Sequence, residues 1–309
     1  MCAIFGVLDY RGKLTPSQRL RMVRELGNAA EVRGTDATGI AFFQRDKLCI
    51  QKAPKPAHRM KYRIPAEVRY IMGHTRMTTQ GDAHRNQNNH PFPGRAGGQS
   101  FALAHNGVLH NDFILQRRYS LPPSSIETNS YVAVQLIERQ KEVSPNSLRK
   151  MAEEVEGSFA FTVLDGENNL WFVKGDNPLT IYHYPKLGVY LYASTEGILS
   201  DALRSMGMEQ AKYETIRPSP GDILRIDRWG NREQFHFEIE EPMPSFFRHS
   251  IFDPAPWHSP RSHITQEEYI QAMKTVAVFH GFEAGYIDSL LADGYTTDDL
   301  EDLIYCGRS

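Results

Sequence analysis

Cys2 is the residue from which a reaction can be written. It stands second in the chain, ahead of the apolar run Ala3-Ile4-Phe5-Gly6-Val7. With Met1 removed, one residue carries both a thiol and a free α-amine. That amine titrates at roughly 7.7–8.0, so near neutrality it can take the proton of the adjacent thiol. On position alone, a small apolar residue opening an edge strand is the simpler reading, and the rest of the chain has to decide.

Other polar residues gather in short segments. Arg33-Gly34-Thr35-Asp36-Ala37-Thr38-Gly39 is a turn whose glycines let the backbone approach another group closely. Val68 to Arg76 reads as a strand running into Gly73-His74-Thr75-Arg76, and Thr78-Thr79-Gln80-Gly81-Asp82 follows. A second strand, Ser100 to Ala104, is expected to end at His105-Asn106-Gly107. Two strands ending in amide-bearing residues suit a sheet edge that holds a polar substrate. Asn106-Gly107 alone also fits a hairpin turn. His74, His84, His90, His105 and His110 show no metal-ligand spacing, and no metal is expected.

The elements that must position these residues are legible from period and caps. Thr15-Pro16-Ser17-Gln18 starts a helix, with Leu20, Val23, Leu26 and Ala30 as its buried stripe and an end near Val32. Ile40–Phe43 and Leu48–Ile50 form a hairpin across Arg45-Asp46-Lys47, with Cys49 as a buried strand residue. Tyr131 to Glu142 is helical, capped by Thr128 or Asn129, and 147–156 makes a shorter helix. Strands follow at Phe159–Leu164, Leu170–Lys174, Leu179–Tyr184 and Val189–Ala193, then a helix from Thr195 to Ser205 and a strand at Ile223–Ile226. Strands grouped in sets, with helices between the sets, argue for two stacked sheets covered by helices and against a parallel βαβ array. From Glu240 prolines mark a connector. Thr265-Gln266-Glu267-Glu268, Ile287-Leu290-Leu291 and Leu300-Leu303-Ile304 then signal three short helices.

Bulk properties narrow the class. The 309 residues, 40% hydrophobic and 23% charged, suffice for one large domain and an appendage. A net charge of −2 gives no reason to expect nucleic acid or an anionic membrane as partner. No apolar stretch reaches the ~20 residues of a membrane span and no secretory signal is visible. Three cysteines, Cys2, Cys49 and Cys306, form no framework, which points to a cytoplasmic protein.

Taken in order, Cys2, Arg33-Gly34-Thr35-Asp36, Gly73-His74-Thr75-Arg76, His90-Pro91, His105-Asn106-Gly107 and Glu127-Thr128-Asn129-Ser130 resemble the class II glutamine amidotransferase domain, an N-terminal-nucleophile hydrolase. Glu156 to Phe161, Asn177-Pro178-Leu179-Thr180-Ile181 and Ala193-Ser194-Thr195-Glu196 extend the resemblance through residues 2–238. It implies an α+β fold, a four-layer αββα sandwich of two mainly antiparallel sheets. A connector (239–262) and a small C-terminal helical extension (263–309) would follow.

The resemblance also implies a mechanism. Cys2 attacks the glutamine side-chain amide, releases ammonia and leaves a thioester that water hydrolyses. Asn106 and Gly107 would serve the oxyanion, Arg76 the α-carboxylate, and Thr79 a further contact. Arg33 and Asp36 would orient the loop beside the nucleophile, with His74 behind them. No cofactor is implied. The partners implied are L-glutamine or a related amide and a separate synthase subunit accepting ammonia, with oligomeric state left open. Three positions depart from the family: Asn129 where Asp normally meets the substrate ammonium, Met77 where tryptophan is common, and Gln80 in place of a frequent histidine. Hydrolysis of another γ-glutamyl-type amide, or glutamine binding without turnover, therefore stand as rival readings.

Overall fold

The computed structural model describes residues 2–239, 270, 274 and 285–292. Residues 1–239 form one compact unit and 240–309 a second. In the first, β1 (Ala3–Asp9) is buried along its whole length. It lies between β4 (Tyr70–Arg76) and β10 (Val189–Ala193), antiparallel to both. The segment is therefore central in its sheet, and the edge-strand reading of Cys2 fails.

That sheet continues outward from β4 through β2 (Ala37–Gln44) to β3 (Lys47–Ala53). From β10 it continues through β9 (Thr180–Tyr184) to β11 (Glu214–Ile216). The second sheet runs β13-β12-β8-β7-β6-β5, from β5 (Phe92–Ala96) and β6 (Gln99–Leu109) through β7 (Gly157–Asp165) and β8 (Leu170–Lys174) to β12 (Asp222–Ile226) and β13 (Arg232–His236). Every pairing among these described strands is antiparallel.

Alternation along the strands builds the layers. Ile4 and Leu8 of β1 join Met72, Ala102, Ala104, Ala160 and Phe172 in the core between the sheets. Ala3, Phe5 and Val7 point the other way, onto Val23 and Leu26 of α1 (Pro16–Ala30) and Leu199 of α5 (Glu196–Met206). Leu103, Phe161 and Val173 meet Val132 and Leu136 of α3 (Tyr131–Gln140) and Leu148 of α4 (Pro145–Glu154) beyond the second sheet. A short α2 (Asp112–Arg118) adds Leu115 to that layer. This is the αββα sandwich. Each fully buried Leu or Phe contributes ~1.5–3 kcal/mol, and both faces of both sheets are covered.

Local signals were obeyed at most ends. Thr15 Oγ1 accepts from the Gln18 N–H at 3.2 Å and Gln18 Oε1 from the Thr15 N–H at 2.8 Å, the reciprocal cap expected of that sequence. Asp9, at the end of β1, accepts from Arg19 Nη1 of α1 at 3.0 Å and fixes that helix on the sheet. Two expectations need correcting. β6 does not stop at Ala104 but carries His105, Asn106 and Gly107 in register against Phe161, Ala160 and Phe159, so Asn106-Gly107 is no hairpin turn. The cap position of α3 is Ser130, in a helical conformation and without a side-chain cap bond, while Asn129 donates its amide to the Leu109 carbonyl. Cys49 is only half-buried on β3. Beyond Ile239, α6 (Tyr286–Ala292) carries Ile287, Leu290 and Leu291. The proline connector, the other two expected helices and Cys306 lie outside the described residues.

Candidate active site

Strand register brings the chemistry to one end of the sandwich. Ala3 pairs with Thr75 and Ala37 with Arg76, which sets Cys2 beside the end of β4 and the start of β2. A cleft of about 290 Å³, open to solvent, is lined there by Cys2, Arg76, Met77, Thr79 and Gln80 from one side. His90, His105, Gly107, Thr128, Asn129 and Ser130 line the other. Of the residues singled out from sequence, Cys2, Arg76, Thr79, Gly107 and Asn129 line the cleft.

Cys2 is half-buried and its thiol donates to the Met77 carbonyl at 3.5 Å. Burial pushes the thiol above its ordinary pKa, against the pull of the Met77 backbone and of the Arg76 and Arg33 charges. A neutral thiol beside cations needs a base to become a nucleophile. Arg33, in the turn after α1, donates from Nε to the Cys2 carbonyl at 2.8 Å and from Nη2 to Asn106 Oδ1 at 3.4 Å. Gly34 lets this turn lie against β4, since a Cβ there would sit 2.4 Å from the Arg76 carbonyl carbon. Asp36 accepts the Thr78 N–H at 2.7 Å and holds the start of the 78–90 loop.

Asn106 is buried, and its Nδ2 has no hydrogen-bond partner among the described residues. A buried amide NH2 left empty costs ~1–3 kcal/mol unless something fills it, so it marks a place where an acceptor belongs. Gly107 follows with φ of 142°. A Cβ there would stand 1.9 Å from the Ser158 carbonyl oxygen, so only glycine permits this backbone to close on β7.

Arg76 is buried at the end of β4. Its Nη1 donates to Asn89 Oδ1 at 2.6 Å, and Nη2 donates to the Gln80 carbonyl and, at 3.2 Å, to that of Gly81. These bonds use three of five guanidinium N–H groups and lock the loop that forms the cleft wall. Lys52 of β3 backs the same wall, donating to the Asn89 carbonyl at 2.7 Å. Burial, and then the charge of Arg76, lowers its pKa to about 8. Asn129 donates from Nδ2 to the Leu109 carbonyl at 2.7 Å, and its backbone N–H meets Gln80 Oε1 at 3.1 Å. Glu127 accepts from Arg85 and Asn88 and is not among the residues that line the cleft.

Behind the cleft lie three buried imidazoles. His74 and His90 have ring centroids 4.4 Å apart, and His90 and His105 6.3 Å apart. His74 Nε2 donates to the His105 carbonyl at 3.0 Å, a bond that ties one sheet to the other. His105 Nε2 donates to the Ser158 carbonyl at 3.3 Å, so Nδ1 accepts from the Ser130 hydroxyl at 2.7 Å. Desolvation holds all three neutral, with His74 and His105 lowered to about 3 and His90 well below its ordinary value. Among the described residues no cluster of His, Cys, Asp and Glu could hold a metal ion. His74 thus supports the cleft from behind without lining it. Sequence reasoning had given no role to Asn89, Lys52 and Ser130. Asn88-Asn89-His90 was the available signal, a run of buried polar residues beside the arginine strand.

An antiparallel αββα sandwich with a thiol at the head of its central strand is the architecture of N-terminal-nucleophile amidotransferases. The family model for class II glutamine amidotransferases matches residues 1–182, and the chain belongs to that family. Curated relatives include glutamine–fructose-6-phosphate aminotransferases (isomerizing). The Chlamydia muridarum enzyme is 31% identical over 248 residues, covering 77% of this chain and 38% of its own. The Staphylococcus aureus enzyme is 31% identical over 268 residues, covering 78% and 40%. The chain thus spans two fifths or less of the length of these relatives. Among solved structures, the glutamine phosphoribosylpyrophosphate amidotransferase of B. subtilis superposes with a TM-score of 0.60 at 21% identity, over 77% of this chain and 50% of that one. It shares the fold. No described helix is long and apolar enough to cross a membrane.

Proposed function

We propose that this chain hydrolyses the side-chain amide of glutamine through a thioester on Cys2. With Met1 removed, the α-amine of Cys2 takes the thiol proton and sulfur adds to the amide carbon. The oxyanion so formed meets the Asn106 Nδ2 donors and the Gly107 N–H, groups of the kind worth about 3–4 kcal/mol in a preorganised site. Collapse breaks the C–N bond, and the amine's proton leaves with the nitrogen as ammonia. Water then adds to the thioester, releasing glutamate and restoring the thiol. Arg76 and Thr79 receive the α-carboxylate, Asn129 the α-nitrogen, and Arg33 and Asp36 hold the surrounding turn. His74 braces the two sheets behind it.

The observation that carries this reading is Asn106 Nδ2, buried and without a partner among the described residues, on the residue next to Gly107, which lines the cleft together with Cys2. As part of the same proposal, the ammonia passes to a synthase on a separate subunit, in the cytoplasm. The test is intact-mass measurement of Met1 loss, followed by ammonia release from wild type and Cys2→Ala. Equal rates from the two would sink the thioester; loss of at least about 10³-fold in Cys2→Ala supports it.

A further inference from the structure

We infer that the amide accepted here belongs to a glutamine whose α-nitrogen is acylated, so that the substrate brings a carboxylate but no ammonium. This rests on the Cys2 reading above and concerns the head of the substrate, away from the reacting carbon.

The cleft has the wrong charge balance for a free amino acid. Among its lining residues Arg76 is the fixed charge, and none is aspartate or glutamate. The carboxylates whose fields reach Arg76 are Asp36, Asp82 and Glu127. Each is engaged elsewhere. Asp36 takes the Thr78 N–H at 2.7 Å, Asp82 takes the His84 N–H at 2.8 Å, and Glu127 takes Arg85 at 2.5 Å and Asn88 at 2.8 Å. Lys52 adds a second cation behind Arg76, through Asn89. A carboxylate is welcome in that field. An ammonium would surrender its water to face a guanidinium, with no carboxylate among the lining residues to receive it.

Hydrogen-bond capacity points the same way. An ammonium has three N–H groups to satisfy, and an acylated α-nitrogen has one. The bond from Asn129 Nδ2 to the Leu109 carbonyl fixes which way the amide faces. Its Oδ1 lies 3.4 Å from the Ser130 oxygen, whose proton goes to His105 Nδ1, and so keeps its acceptor capacity. One neutral oxygen with a vacant lone pair suits a single neutral N–H. The acyl group has a surface to lie on: Met77 lines the cleft and is 52% exposed, an unbranched apolar side chain at the mouth. The shared chemistry is a free α-carboxylate with an amide on the α-nitrogen, as in a small N-acyl-glutamine or the C-terminal glutamine of a peptide.

The experiment compares kcat/KM for ammonia release by the full chain, with Met1 loss verified, from L-glutamine, N-acetyl-L-glutamine and glycyl-L-glutamine. At least one acylated substrate is expected to exceed L-glutamine by roughly tenfold or more, chiefly through KM. The better of the two assigns the source, N-acetyl for a small acyl group and glycyl for a peptide. Asn129→Asp supplies the missing countercharge and is expected to narrow the preference by roughly tenfold. An unchanged preference in a folded Asn129→Asp variant counts against the inference. A smaller preference in wild type, or a preference for L-glutamine, overturns it while leaving Cys2 as nucleophile. Ammonia from none of the three overturns both.

Discussion

Arg33 reaches the Cys2 carbonyl with Nε at 2.8 Å. The same guanidinium lies 3.4 Å from Asn106 Oδ1, so one planar group spans the strand that offers the thiol and the strand that offers the amide. Because Arg33 takes the oxygen of Asn106, the NH2 is turned the other way.

Arg33→Lys keeps the charge and loses the span, since an ammonium is a point donor. The expected result is kcat for ammonia release lower by about 10–100-fold with KM little changed, because the substrate head is held elsewhere. Steady-state kinetics on the two proteins check it. A loss confined to KM would refute the alignment role.

Asn106→Ala removes the empty donors and leaves β6 paired. A fall in kcat of about 10²–10³ is expected, with the α5 and α3 layers intact by circular dichroism. An unimpaired kcat would remove Asn106 from the oxyanion site.

Gly107→Ala tests backbone and not chemistry. At φ of 142° and with a Cβ placed 1.9 Å from the Ser158 oxygen, alanine must push β6 off β7. A destabilisation of about 3 kcal/mol or more is expected, lowering Tm by roughly 6–12 °C. Calorimetry would contradict this if the midpoint stayed within about 2 °C of wild type.

The three imidazoles make stability depend on pH. His74 and His105 titrate at about 3 in the folded chain against 6.5 when unfolded, and His90 is also held low. Below 6.5 the unfolded chain binds protons that the folded chain refuses. Their contribution is therefore complete above about 6.5 and is lost as pH falls toward 3. Each ring is worth about 1.4 kcal/mol per pH unit in that window. Urea unfolding at pH 7 and pH 5.5 should show a drop of up to about 4 kcal/mol, and His90→Phe should reduce it by about a third.

Much of this was legible in the chain because the signals were local. Thr15-Pro16-Gln18 needs only itself to start α1, and the nearly continuous apolar runs of β1, β7 and β10 follow from burial on both faces. The order of Cys2, Arg33, Arg76 and Asn106-Gly107 announced the site. What stayed hidden was relational. Asn106-Gly107 has the composition of a turn, and only the β7 register, with Phe159 opposite Gly107, makes it strand. Asn129 read as a helix cap, but the cap of α3 falls one residue later, at Ser130, and the Asn129 amide bonds Leu109, twenty residues away. Asn89 and Lys52 join Arg76 across a loop and a strand, through partners that no spacing rule connects.

The placement of β1 also sets when the Cys2 thiol can leave its position. Its amides are laddered on both sides and its side chains enter two separate cores, so β1 has no independent way to open. Hydrogen exchange along Phe5 to Leu8 should proceed only through global unfolding. A Cys2 thiol that hangs from this doubly laddered strand keeps that end of the cleft assembled for as long as the domain itself survives.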